Sequence, residues 1–258
     1  MKGRQLLVLV LCAGLMSCNQ SGSSTSDTAE STADAQTESG VDAQRNTDTD
    51  TLGTADIGTA SPVNATILVA DPATGGGSSG VTVTSTSSEA VTDATGRATV
   101  EVDPGPYHIT LTKTGARPHR VFGVAGEQDF EQITYMSPEV ITSFVYNSLG
   151  LTDDAERGIL VVGLDLPSLA PAVGAGATID RPSDASFVFA GVQAVFATDI
   201  PTNGQGFLTF PNVEPGPVNV TVSYPSGACR IFPAETESVP VEITAGEVSV
   251  VAYTCRPE

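Results

Sequence analysis

Few side chains in this 258-residue chain could do chemistry, and their spacing narrows what that chemistry is. There are two histidines, four cysteines and no tryptophan. A hydrolytic zinc site needs ligands at fixed spacing, such as His-x-x-Glu. Leu111 stands three residues after His108, and Phe122 three after His119. No Cys-x-x-Cys pair occurs. The one basic cluster is Arg117-Pro118-His119-Arg120. Paired guanidiniums with an imidazole can bind a carboxylate, a phosphate or an acidic glycan. The competing reading is a loop held by local acids. His108 falls at an outward position of a strand pattern and reads as a solvated face residue. Acid pairs such as Asp153-Asp154 carry little information in a chain whose net charge is −19.

Cys18 carries the strongest signal. It follows Leu15-Met16-Ser17, after a basic start (Lys2, Arg4) and an apolar run from Leu6 to Leu15. Charged, apolar and small-residue regions in that order are a secretory signal. The apolar run is half of the roughly 20 residues a spanning helix requires. With Cys at the cut, the segment resembles a bacterial lipoprotein signal peptide. The resemblance implies cleavage after residue 17, lipid on Cys18, and attachment to a membrane through that lipid. Asn19 after the Cys resembles an outer-membrane address. The expected location is the bacterial cell envelope, lipid-anchored, at the outer membrane.

Residues 18–62 are Ser, Thr, Ala, Gly and acids with almost no large apolar side chains. Such a segment cannot bury enough surface to offset its chain entropy, so a disordered linker is expected. Asp48-Thr-Asp50-Thr-Leu-Gly53 begins like a calcium loop, but Leu52 and Thr59 occupy ligand positions, so no metal is expected. Past the signal, Lys113 is the only lysine. So acidic a surface excludes nucleic acid as a partner. No cofactor motif is present.

After Pro62 short β-branched runs alternate with Gly, Pro, Asn and Asp, the texture of an antiparallel sandwich. Strands are expected at 64–69, 80–85, 97–102 and 107–112. A similar plan recurs roughly 110 residues later at 158–164, 176–179, 207–210 and 218–224, with 239–243 and 248–254 completing it. Asp103-Pro-Gly-Pro106 and Glu214-Pro-Gly-Pro217 repeat one turn. Between the copies, Ser137-Pro138 and Gly150 bracket an expected three-turn helix with Ile141, Phe144, Val145 and Leu149 on one face.

Thr92-Asp93-Ala-Thr-Gly96 and Pro104-Gly105-Pro106-Tyr107 resemble the carboxypeptidase regulatory-like family, a prealbumin-like β-sandwich. The second copy departs from it, with Asn203 for the turn Asp, Val218 for the Tyr, and an insertion at 181–198. The resemblance implies an all-β fold of two tandem antiparallel sandwiches joined by a short helix, and no activity. The expected units are domain 1 at 63–135, a helical connector at 136–157 and domain 2 at 158–258. Isopeptide-forming relatives need an early lysine, which neither copy has. Cys229 and Cys255 remain after the signal and Cys18 are set aside. In an oxidising compartment they are expected to form a disulfide.

Taken together, the sequence points to a non-enzymatic envelope protein whose sandwiches act as spacers and bind a protein partner through edges or loops. The alternative is a carbohydrate-binding surface lipoprotein, disfavoured by an aromatic content of 5%.

Overall fold

The computed structural model describes residues 61–72, 75–191 and 193–258. The signal segment, Cys18, the calcium-like run and nearly all of the linker lie outside the described residues.

The first copy consists of β1 (Val63–Ala70), β2 (Thr82–Thr84), β3 (Glu89–Val91), β4 (Arg97–Val102), β5 (Gly105–Thr112), β6 (His119–Ala125) and β7 (Phe130–Tyr135). Helix α1 (Glu139–Leu149) follows. The second copy runs through β8 (Gly158–Asp165), β9 (Gly176–Ile179), β10 (Phe187–Ala190), β11 (Gln193–Phe196) and β12 (Phe207–Val213). It ends with β13 (Gly216–Val218), β14 (Val220–Ser223), β15 (Gly227–Ile231), β16 (Val241–Ile243) and β17 (Val248–Pro257). Every expected strand is present, and β3, β6, β7, β10, β11 and β15 are additional to them. In β1 the side chains of Ala65, Ile67 and Val69 are buried, and in β4 those of Ala98, Val100 and Val102. The turn before β4 is held by Asp93, whose Oδ1 accepts from the Thr95 amide at 2.8 Å and the Arg97 amide at 3.0 Å. Gly96 ends that turn with φ +81°, a backbone angle that favours glycine.

The two halves share a pairing pattern. In the first copy β1 pairs antiparallel with β4 and parallel with β7. In the second, β8 pairs antiparallel with β12 and parallel with β17. The copies are also fused through β17, whose other edge pairs in parallel with β6. A single ten-stranded sheet results, in the order β11-β10-β12-β8-β17-β6-β5-β2-β3, with β15 on β17. One core lies between the three-stranded sheet β4-β1-β7 and the β2-β5-β6 part of the large sheet. The other packs Leu160, Val162, Leu164, Leu208 and Val251 against the short pairs β9-β14 and β13-β16. The described residues fall within one compact unit.

Several local expectations are corrected. His119 and Arg120, read as part of a loop, open a strand at 119–125, whose successive side chains Val121 and Phe122 are buried in the two different cores. Gly105 and Pro106 lie inside β5, not in the turn before it. Ser137 does not cap the helix; Pro138 occupies the cap position without a side-chain bond. Gly150 closes the helix in the left-handed conformation as expected. The helix buries Val145 and Tyr146, whereas Phe144 stays 70% exposed. Ile141, Val145 and Leu149 of the predicted face are buried or half-buried, so the contact face is the predicted one rotated from Phe144 toward Tyr146. Tyr146 packs on Ile159 and Val248 of the sheet.

Candidate functional site

Alternation along the central strands assigns each residue to one of two faces. Leu160, Val162 and Leu164 fill the second core, so Ile159 and Val161 face the other way, under α1. Register extends this face sideways. Val248 stands opposite His119 and Ile159, and Val250 opposite Val121 and Val161. Thr209 stands opposite Val161 on one side and Phe187 on the other. The three-stranded sheet covers the first-copy half of this face, and α1 covers only part of the remainder. Between them lies a cavity of about 540 Å³.

Its wall is a row of aromatic rings. Tyr135 meets Phe207 at 6.2 Å between centroids, Phe207 meets Phe189 at 6.0 Å, and Phe189 meets Phe187 at 6.0 Å. Their planes are inclined by 39°, 60° and 76°, so they do not form the flat platform on which a sugar ring stacks. Phe144 of the helix forms the outer lip. Val161 and Val250 form the floor.

Three side chains that carry polar atoms line the same space while being almost wholly buried, among them Tyr146 of α1 at 3%. His119 is 6% exposed and Thr209 also 6%. Nδ1 of His119 donates to the Arg117 carbonyl at 2.9 Å, which leaves Nε2 as an acceptor. Burial pushes the imidazole below its ordinary value, so it is neutral at pH 7. Neither His119 Nε2 nor the Thr209 hydroxyl is hydrogen-bonded by another described residue.

The arginines of the predicted basic cluster are engaged inside the fold. Arg117 donates to Glu139 and also pairs with Asp153. Arg120 pairs with Glu247 at 3.0 Å. Carboxylates hold both guanidiniums, and this segment is where α1 is tied to the sheet. His108 is exposed on β5, its ring centroid 6.0 Å from that of Phe122 and inclined to it by 37°.

Asp165, at the end of β8, lies beyond the cavity over Gly206, where a β-carbon would collide with its carboxylate. Burial pushes its pKa up to about 7. Its charge and burial together raise the Tyr135 hydroxyl above its ordinary value, burial being the larger cause.

Cys229 and Cys255 form the predicted disulfide, across directly opposed positions of β15 and β17. Gly76-Gly77-Ser78-Ser79-Gly80 has the spacing of a serine nucleophile elbow. Lys113 Nζ donates to Ser78 Oγ at 2.9 Å and to the Ser79 carbonyl at 2.9 Å. That lysine is exposed, and a lysine acting as a base must be desolvated. The ammonium here is a structural donor. Among the described residues no three His, Cys, Asp or Glu side chains are grouped to hold a metal ion. No helix among them is long and apolar enough to cross a membrane.

The aromatic cavity escaped sequence reasoning. Its signal was the Phe187-Val-Phe189 pair inside the insertion at 181–198, together with Phe207. The unbroken apolar run Phe187-Val188-Phe189-Ala190 marks a strand with two buried faces, one more than a simple sandwich edge requires.

No protein-family model matches the chain, and no curated protein matches it. Among solved structures, the chain is similar to a minor pilin of Streptococcus agalactiae, at 16% identity and a TM-score of 0.25 over 76% of this chain and 97% of that one. A streptococcal ancillary pilin gives 14% identity and a TM-score of 0.24, over 76% of this chain and 63% of its own. The Bacillus anthracis TIE protein gives 11% and 0.25, over 76% and 34%. The chain thus spans about a third of that protein's length and under two thirds of the ancillary pilin. Likeness at this level carries no argument about function, and the fold assignment rests on the strand topology above.

Proposed function

We propose that this protein is a non-catalytic, lipid-anchored component of the bacterial cell envelope. Its fused sandwiches serve as a spacer and an interaction module held away from the membrane by the acidic linker. The observation that carries this reading is Cys18 itself, placed after Leu15-Met16-Ser17 and before a long polar stretch. The folded body supports it. The arginines around the helix are neutralised by carboxylates. A protein partner has an available edge in β11, the last strand of the large sheet, where Phe196 is 56% exposed. An extended segment can add to such an edge through main-chain hydrogen bonds.

The test is metabolic labelling with a clickable fatty acid in wild type and Cys18→Ala, with protease shaving of intact cells in parallel. Label in wild type alone, together with cleavage on whole cells, is the expected result. Equal label in both, or none in either, would overturn the anchor. Protection from protease would place the protein on the inner side of the envelope.

A further inference from the structure

We infer that the cavity between α1 and the large sheet is a binding site for a neutral amphiphile: an apolar chain or ring ending in a hydroxyl. The inference rests on the reading of the folded body as a binding module and names what this face takes.

Size comes first. About 540 Å³ lies within the range of roughly 300–1,000 Å³ typical of small-molecule sites. The lining is mostly apolar, with aromatic rings along one side, and an apolar void without atoms in it forfeits dispersion contacts on every wall. An apolar occupant restores them.

The polar atoms then select the head group. His119 and Thr209 are buried residues that line the cavity, and no described residue hydrogen-bonds Nε2 of His119 or the Thr209 hydroxyl. An occupant that displaces water from these atoms must pair them itself, so a ligand that can do so gains selectivity over one that cannot. Nε2 of His119 needs a donor, because Nδ1 already donates to the Arg117 carbonyl. Thr209 can accept or donate. A hydroxyl satisfies either.

Charge decides between head groups that could donate or accept. No Asp, Glu, Lys or Arg lines the cavity. The nearest guanidiniums, Arg117 and Arg120, are committed to Glu139, Asp153 and Glu247. A carboxylate or phosphate would be desolvated with no cation to meet it, and an ammonium with no anion. A neutral head group avoids both penalties.

The experiment uses the full chain carrying Cys18→Ala, with 1-decanol, decanoate and decylammonium as probes, titrated at pH 8 by calorimetry and by methyl NMR. The expected result is saturable one-to-one binding of decanol, with shifts at Ile159, Val161 and Val248, and binding of both charged probes about tenfold weaker or worse, the equivalent of about 1.4 kcal/mol. Thr209→Val keeps the shape and removes the hydroxyl. It should weaken decanol severalfold without lowering the melting temperature. Ala194→Trp, at the rim, should block entry, and it serves as the second variant if Thr209→Val fails to fold. Decanoate or decylammonium binding as tightly as decanol would overturn the head-group assignment. Absence of saturable binding to a folded chain, or binding unchanged by Ala194→Trp, would overturn the site. Neither result bears on lipid labelling at Cys18, so failure here is distinguishable from failure of the envelope reading.

Discussion

The guanidinium of Arg117 grips the carboxylate of Glu139 side-on, with Nε 2.9 Å from Oε2 and Nη2 2.7 Å from Oε1. Arg117 lies just before β6, and Glu139 is the first residue of α1. The pair therefore fastens the start of the helix to the sheet at one end of the cavity. The Arg117 side chain is only 12% exposed, whereas Glu139 is 41% exposed, so solvent screens part of the attraction. Arg117→Ala is expected to lower unfolding free energy by about 1–2 kcal/mol. Amide exchange should quicken across 139–149 more than in β1 or β4. Uniform exchange in the variant would mean that the pair does not hold the helix.

Asp165 makes the chain's stability depend on pH in an unusual direction. Its folded pKa is pushed up to about 7 by burial, against an ordinary value of 3.8. Between these values the folded state retains a proton that the unfolded chain has lost, so stability falls as pH rises through the window. The loss is absent below about pH 4 and complete above about pH 7. At about 1.36 kcal/mol per unit it is at most about 4 kcal/mol, and solvent screening of the half-buried carboxylate reduces this to about 2–3 kcal/mol. Asp165→Asn should therefore stabilise the protein by about 2–3 kcal/mol at pH 8 and by close to nothing at pH 4. Urea unfolding at the two pH values checks this. An equal effect at both would show that the carboxylate is not desolvated.

These two sites show what could be read in the sequence and what could not. The turn at Thr92–Gly96 was legible because its chemistry is local: Asp93 bonds amides two and four residues on. β1, β2, β4 and β5, and the helix's end at Gly150, were legible from equally local patterns, whereas the short β3 was not. Strand β6 was not, because one of its neighbours, β17, comes from the other end of the chain. Its residues bury both faces only after that pairing forms. The cavity depends on the same long-range event. His119 reads in sequence as part of a basic cluster, and only the register opposite Val248 turns it inward under α1. The Arg117 and Arg120 ion pairs could not be weighed from sequence either, since Asp153 and Glu247 are distant acids among many.

Cys229 and Cys255 are opposed residues in β15 and β17, separated by 26 positions. Closing a loop of that length stabilises by about 3.5 kcal/mol on the chain-entropy account. Replacing both cysteines by serine should lower unfolding free energy by about 3–4 kcal/mol, with Cys255 contributing additionally because it is fully buried. Equilibrium unfolding with and without reductant provides the check. A wild-type curve unmoved by reductant, with free thiols detected in the native chain, would remove the bond from the account.

The fusion of the two copies through β17 leads to the most discriminating prediction about architecture. Val248 to Val251 pair with β6 of the first copy on one side and with β8 of the second on the other. Val250 packs against the first core while Val251 is buried in the second. If the sandwiches were independent beads, deleting residues 248–258 would unfold the second and spare the first. In the fused sheet the deletion also bares the β6 edge and removes Val250 from the first core. Unpaired, apolar strand edges are aggregation sites as well as lost hydrogen bonds. The truncated chain should lose amide protection in β5 and β6 as well as in β8 and β12. The intact body should melt in one cooperative transition. Two separate transitions in the intact chain, or full protection of β6 after truncation, would show that the copies fold independently and that the shared sheet is an incidental contact.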